Sequence, residues 1–437
     1  MPSGGQKLKK RIKVDYLSRV EGEGGIKIEI KDGVIQRLDL HIFEAPRFFE
    51  PILKDRSFQD VIDFTSRICG ICPVAYQMSA VHAIEEVSGI EVDESIRRLR
   101  RLFYAGEWLN SHALHVYFLH GPDFYGLESS WIGKKYLPLL QRGLMLRRLG
   151  NELLSIIGGR AVHPVSVRPG GFFSVPEKKS LLGLLPMLEK GYEEALEGIR
   201  WAVSLFDRAE GKEEIQHDFV SLKDPEGYPM NRGKVVSSDG REMTMEEFRT
   251  SIEEYQVGYS TALHSAMKVN SQRKSYMVGP IARLNLNYNS LPGEMKTMIE
   301  HLGIDLPITD ISRSVIARSV EIAYAINEAV RIIRLYDEPA RVADVRPHEG
   351  KATWITEAPR GVLIHHYEFD TEGNVVNARI IPPTSQNLAH IENTLYRFVS
   401  SNIDQPADYL KKGCERIVRS YDPCISCSVH LLFAGNG

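Results

Sequence analysis

Between residues 11 and 42 apolar and polar residues alternate in three short runs, IKVDY, IKIEI and VIQRLDLHI, with glycine-rich breaks between them. β-Branched residues at a period of two predict strands. From residue 58 onward the period lengthens. Ile96, Leu99, Phe103, Gly106, Leu109, Ala113 and Val116 fall three or four apart. That spacing predicts one helix of roughly 25 residues, nearly 40 Å long. Residues 178–210 and 311–336 carry the same period, and in the second Val315, Ile322, Ile326, Val330 and Ile333 mark one face. Several helices of similar length predict a bundle. Residues 361–381 read as a hairpin, GVLIHHYEF and VVNARII around a DTEGN turn, and helical patterns return at 387–401 and 406–419.

The expected fold class is therefore α+β and helix-rich. A central bundle of long helices is joined by an N-terminal β region and a small hairpin region in the C-terminal half. The chain divides into a flexible tail at 1–10, a β region at 11–57, a helical body at 58–345, a hairpin region at 346–385 and C-terminal helices at 386–430. No repeat or low-complexity linker interrupts it, so 11–430 reads as one large domain, with 431–437 as an extension. Composition adds exclusions. With 43% hydrophobic and 25% charged residues, global disorder is out. A net charge of −3 offers no bulk basic surface for nucleic acid or an anionic membrane. No apolar run is long enough to span a bilayer, and the basic N-terminus lacks the apolar stretch of a signal peptide. The cytoplasm is the expected location.

The five cysteines change the picture most. They are too sparse for a disulfide framework, yet four form two pairs, Cys69/Cys72 and Cys424/Cys427, one near each end of the chain. A two-residue gap lets both sulfurs turn toward one ion, and two such hooks supply four thiolates. The chain ends must then meet at a buried metal site. On spacing alone three readings stay open: structural zinc, an iron–sulfur cluster, and a catalytic soft-metal site.

The surrounding residues resemble the nickel–iron hydrogenase large subunits. Arg-Ile-Cys-Gly-Ile-Cys at 67–72 and Asp-Pro-Cys-Ile-Ser-Cys-Ser-Val-His at 422–430 look like that family's first and last metal-binding motifs. Arg-Val-Glu-Gly at 19–22, Glu-Ala-Pro-Arg-Gly at 357–361 and the segment from Pro383 and Thr384 to Asn387 agree in order and position. The wording after Ile68 looks like the cytosolic, pyridine-nucleotide-linked branch, which includes sulfhydrogenases. The resemblance implies roles. Cys69 and Cys424 would be terminal nickel ligands, and Cys72 and Cys427 would bridge nickel to an iron carrying carbon monoxide and two cyanides. Arg360 would lie over the metals, with Asp123 and Asp422 holding it. Thr384, following Pro383, would hydrogen-bond a cyanide. Glu21 would take the first proton from the terminal cysteine. Glu50, His430 and the backbone carbonyl of Ile380 would bind a magnesium-like ion. Two positions depart from the family pattern: Tyr76 stands where a histidine is usual, and Gln386 where many members have tryptophan.

Electrons leaving such a site need a relay. After four metal ligands only Cys414 remains, and no glycine-rich dinucleotide fingerprint follows a strand. The chain therefore carries no iron–sulfur cluster of its own, and a partner with clusters must dock beside the metals. The resemblance implies an iron–sulfur small subunit, diaphorase-type NAD(P)-binding and iron–sulfur subunits, and dihydrogen as substrate. It also implies a maturation endopeptidase that removes 431–437 after His430. The expected activity is reversible heterolytic cleavage of dihydrogen. The alternatives are sulfur or polysulfide reduction by the same complex, or a non-catalytic subunit like the related one of respiratory complex I, which has lost the four cysteines.

Overall fold

The alternating N-terminal runs pair as an antiparallel sheet of β1 (Lys9–Val14), β2 (Gly24–Lys31) and β3 (Val34–Ile42), in that order. Ile26, Ile28 and Ile30 of β2 are buried, as a period of two requires. In this computed structural model the described residues are 9–430, apart from 128–132, 207–214, 216–217, 340–344 and 346–347. The expected tail at 1–10 and extension at 431–437 thus lie outside them, except for Lys9 and Lys10, which open β1. Two short helices follow, α1 (Phe49–Leu53) and α2 (Phe58–Ser66), and then α3 (Pro73–Val87).

The bundle is built from α4 (Glu94–Leu114), α5 (Leu137–Gly158), α6 (Lys178–Leu182), α7 (Leu185–Ser204) and, later in the chain, α11 (Ser314–Arg334). Helix α4 starts where Asp93 accepts the N–H of Ile96 at 2.8 Å, an N-cap that replaces a missing intrahelical bond. It ends not at a cap but in a π turn, His115–His120, and a 3-10 turn, Gly121–Tyr125. These turns swing Asp123 toward the chain termini. Helices α4 and α5 approach at Gly106 and Gly150. A Cβ on Gly150 would meet the Asn110 nitrogen and the Gly106 oxygen at 2.7 Å, closer than side chains tolerate. The helix expected at 178–210 is broken after Leu182, and Pro186 opens the first turn of its second piece.

The expected helical body at 58–345 is not wholly helical. It also holds the strand pair β4 (Val167–Arg168) and β5 (Gly171–Phe172), and two three-stranded antiparallel sheets. The first contains β6 (Val220–Lys223), β7 (Lys234–Ser237) and β8 (Glu242–Met243). After α8 (Met245–Ser251) comes the second, with β9 (Ile252–Gln256), β10 (Leu263–Val269) and β11 (Gln272–Lys274). Strands this short show too few alternations to stand out from loops. Helices α9 (Pro280–Asn287) and α10 (Gly293–His301) precede α11.

The expected hairpin at 361–381 gains a third strand. The sheet runs β12 (Gly350–Ala358), β13 (Gly361–Phe369), β14 (Val375–Ile381), all antiparallel. Ala358 pairs with Gly361, so Pro359 and Arg360 form the whole turn between β12 and β13. Helix α12 (Pro383–Ser401) starts four residues earlier than expected, with proline at its first position, and α13 (Ala407–Tyr421) ends at Asp422 in left-handed backbone, φ +57°. A last short turn, α14 (Ile425–Ser428), carries the second cysteine hook. The main core includes the four paired cysteines, and a second, smaller core that includes Val220, Val235, Phe248, Ile355 and Ile364 lies among β6, β7, α8 and the β12–β14 sheet.

Candidate metal centre

The two ends of the chain meet as short parallel bridges, Glu21 with Cys424 and Arg47 with His430. The N–H of Ile425 donates to the Glu21 carbonyl at 2.8 Å, and that of Arg47 to Val429 at 2.9 Å. The first hook lies between α2 and α3, with Cys72 at the N-cap position of α3. Cys69 Sγ accepts the Cys72 N–H at 3.2 Å and lies 2.7 Å from Cys72 Sγ and 3.9 Å from Cys424 Sγ. The sulfurs of Cys69, Cys424 and Cys427 lie within 4.8 Å of one another. All four cysteines are buried. Cys424 Sγ and Cys427 Sγ are in contact within the second hook, and it is as thiolates that the two can bind metal. Burial works against a thiolate at Cys69 and Cys72 alike. At Cys69 the Cys72 thiol and Arg360 outweigh it and hold the group below the usual thiol range, whereas at Cys72 burial prevails and pushes it up.

The predicted residues assemble around this cluster. Glu21 Oε2 accepts the Cys424 thiol at 2.9 Å. Thr384 Oγ1, in the first turn of α12 after Pro383, accepts the Cys424 N–H at 3.0 Å. Arg360 reaches in from its two-residue turn, with Nη1 4.0 Å from Cys72 Sγ. Its Nε donates to the Asp422 carbonyl at 2.8 Å, and its Nη2 lies 3.2 Å from the Asp422 carboxylate. Asp123 departs from expectation. Its carboxylate meets Arg19 at 2.5 Å, Arg419 at 2.8 and 2.9 Å, and His120 at 3.3 Å. The hold on Arg360 comes from Asp422, because the turns after α4 carry Asp123 to the 19–22 loop instead. Burial opposes the Asp123 charge, but His120 and Arg419 keep its carboxyl well below the usual range.

Farther out, Glu50 accepts the backbone N–H of Ile380 at 2.6 Å. The N–H is a different group from the Ile380 carbonyl that is expected to bind the ion. His430 Nε2 lies 3.1 Å from Glu254, which also pairs with Arg379 at 2.5 Å. This group borders a surface cavity of about 870 Å³ that Glu50, Glu254 and Arg379 help to line. Tyr76, in the family's histidine position, is buried with its ring 5.6 Å from that of His365, and its hydroxyl has no hydrogen-bond partner among the described residues. Gln386 braces the sheet, donating to the Val362 carbonyl at 2.7 Å and accepting from Tyr276 at 3.1 Å.

Several residues here carried no signal in the sequence. Arg47 donates to the carbonyls of Ile68 and Ser426, both at 2.6 Å, and so clips the two hooks together. Glu107 accepts the N–H groups of Val74 and Ala75 at the start of α3. Glu254 stands beside His430. Glu107 and Glu254 are charged residues in amphipathic elements and Arg47 lies in the loop before α1, places where exposure is the ordinary expectation. The donor set tests well against a nickel–iron group. Buried, convergent sulfurs suit soft metals, and charged arginine beside them offsets thiolate charge.

A model of the nickel-dependent hydrogenases matches residues 47–131 and 265–430. The chain belongs to this family. It is the catalytic large subunit of a hydrogenase. It is 33% identical over 431 residues to the sulfhydrogenase 1 subunit alpha of Pyrococcus furiosus, covering 96% of this chain and 98% of that one. It is 24% identical to the subunit beta of the NAD-reducing hydrogenase HoxS of Cupriavidus necator, covering 97% and 96%. The fold is that of a solved NAD⁺-reducing [NiFe]-hydrogenase in its H2-reduced state, with a TM-score of 0.87 at 23% identity, covering 97% of this chain and 100% of that one. Among the described residues no helix is long and apolar enough to cross a membrane.

Proposed function

We propose that this subunit cleaves dihydrogen reversibly and heterolytically at a nickel–iron group held by Cys69, Cys72, Cys424 and Cys427. When bound, that group would supply the soft Lewis acid that polarises dihydrogen, and its iron would carry carbon monoxide and two cyanides. The protein does the rest. The sulfur of Cys424 accepts the proton, and Glu21, already hydrogen-bonded to it at 2.9 Å, carries the proton outward. Arg360, kept charged by Asp422 despite burial, sets its guanidinium over the sulfurs and stabilises charge that develops there. Thr384 fixes the Cys424 backbone and offers its hydroxyl to a cyanide. Burial of all four cysteines excludes water. Glu50 and His430, with the Ile380 backbone and Glu254 beside them, form the magnesium site that ties the mature C-terminus down.

Electrons leave through a separate iron–sulfur small subunit. Once the four ligands are assigned, Cys414, buried in α13, is the single cysteine left, and one thiolate cannot hold a cluster. The similarity to subunits named for NAD-reducing hydrogenase supports onward transfer to NAD(P) through diaphorase-type subunits in the cytoplasm. The similarity to a sulfhydrogenase supports a second use of the same electrons, reduction of sulfur or polysulfide. The maturation endopeptidase cuts after His430. The observation that carries this reading is the Glu21 carboxylate on the sulfur of Cys424, inside a closed set of buried cysteines. Glu21→Gln tests it. The purified complex should keep nickel, iron and the infrared bands of carbon monoxide and cyanide, while turnover falls by about 10²–10⁴-fold, the usual worth of a positioned acid–base group. Loss of nickel in that variant would make Glu21 a structural residue instead.

A further inference from the structure

Arg283, on α9, has no exposed side-chain surface and uses every donor it owns. Its Nε and Nη2 grip both oxygens of Glu321 at 2.8 Å. Its Nη1 donates to the Glu357 carboxylate and the Ala358 carbonyl, each at 2.8 Å, and Nη2 donates to the Pro359 carbonyl at 2.9 Å. Three of those five bonds land on the residues that lead into Arg360. The guanidinium also lies 4.4 Å over the ring of Trp108, whose Nε1 donates to the Glu357 carbonyl at 3.1 Å. From the other side, Gly279 packs against the turn. A Cβ there would meet the Arg360 carbonyl at 2.8 Å, and its φ of +117° favours glycine.

The same arginine reaches the far end of Arg360 by a second route. Glu321 Oε2 lies 2.9 Å from His112 Nε2, and His112 Nδ1 lies 3.3 Å from Arg318. Arg318 lies 3.4 Å from Asp422, which holds the Arg360 guanidinium. The ring of polar contacts therefore closes on itself, with the backbone before Arg360 and the tip of its side chain both tied back to Glu321 and Arg283. A two-residue turn alone leaves the height of Arg360 above the sulfurs free to vary. The ring removes that freedom.

We propose that Arg283 is the positioning residue for Arg360, clamping the 357–359 segment so that the Arg360 guanidinium stays over the metal-binding sulfurs. The inference rests on the role given to Arg360 above. Lysine cannot replace Arg283, since an ammonium offers three donors without the planar fork. The test uses the assembled, metal-loaded enzyme carrying Arg283→Lys, Arg360→Lys, or both, with Trp108→Phe as a milder second route to the same clamp. Arg283→Lys should keep nickel and iron, speed amide hydrogen exchange at 357–361 at least about tenfold, and slow turnover by about 10–100-fold, as a misplacement near 1 Å does. The double variant should be no slower than Arg360→Lys alone, because both changes remove one interaction. Losses that multiply, or wild-type turnover and exchange in Arg283→Lys and Trp108→Phe, would overturn the proposal. Wild-type turnover in Arg360→Lys would instead overturn the role of Arg360, while the exchange at 357–361 still reports whether Arg283 holds the turn.

Discussion

Glu107→Gln probes how the first cysteine hook is held. Glu107 is fully buried on α4, and its two oxygens accept the N–H groups of Val74 at 2.6 Å and Ala75 at 3.1 Å. These are first-turn donors of α3, whose N-cap residue Cys72 provides no side-chain cap. A carboxyl group from another helix thus does the capping, and burial pushes it well above the usual carboxyl range. Glutamine keeps the size but turns one acceptor into an NH2 group facing an N–H. One hydrogen bond is lost, worth about 0.5–1.5 kcal/mol, and a buried donor left without a partner costs about 1–3 kcal/mol. The two overlap, so the expected loss is about 1–3 kcal/mol. Unfolding entropy near 2.1 cal/mol/K per residue makes that only about 1–3 °C in melting temperature for a chain this long. The local effect is larger. The α3 start that carries Cys72 is released, so nickel and iron content should fall clearly below wild type while overall helicity stays. Metal analysis of the purified enzyme beside its melting curve checks this. Full metal content together with a wild-type melting temperature would refute the capping role.

Three further outcomes are expected. Serine at Cys69, Cys72, Cys424 or Cys427 should abolish metal retention and activity, since a hard hydroxyl poorly replaces a soft thiolate, whereas Cys414→Ser should keep both; metal content of the five variants decides. Glu85, bonded to Arg100 at 2.5 and 2.8 Å, is held at about 2 rather than 4.5, because Arg100 and His82 outweigh the burial that opposes its charge. A depressed carboxyl contributes above its unfolded value and loses that contribution on acidification. About 3 kcal/mol should therefore disappear between pH 4.5 and 2, and in urea titrations the acid loss of stability should be smaller by about that amount in Glu85→Gln than in wild type. Finally, active enzyme should end at His430; an intact mass that still includes Gly437 in fully active protein would exclude the cleavage.

Local elements with a periodic signal, and chemistry signalled by spacing, were written in the order of residues alone. The β1–β3 alternation, the long apolar stripes of α4 and α11, and the two cysteine pairs were legible because each repeats or pairs within a few residues. Motif order then carried Glu21, Arg360, Thr384 and Asp422 to the site, and the fold brings all four to the cysteines or to one another. The rest depends on partners far apart in the chain, which come together on folding. Strand β12 was invisible until it paired with β13, and that pairing makes Pro359 and Arg360 a two-residue turn. Asp123 was expected on Arg360, but the π turn after α4 delivers it to Arg19 and Arg419. Arg47, Glu107 and Arg283 gave no sign at all. An isolated charged residue on an amphipathic helix or loop reads as solvent-facing, and its burial becomes favourable only when the fold supplies every hydrogen bond at once. Those bonds span 21 residues from Arg47 to Ile68, 33 from Glu107 to Val74 and 74 from Arg283 to Glu357. No local window in the sequence contains them.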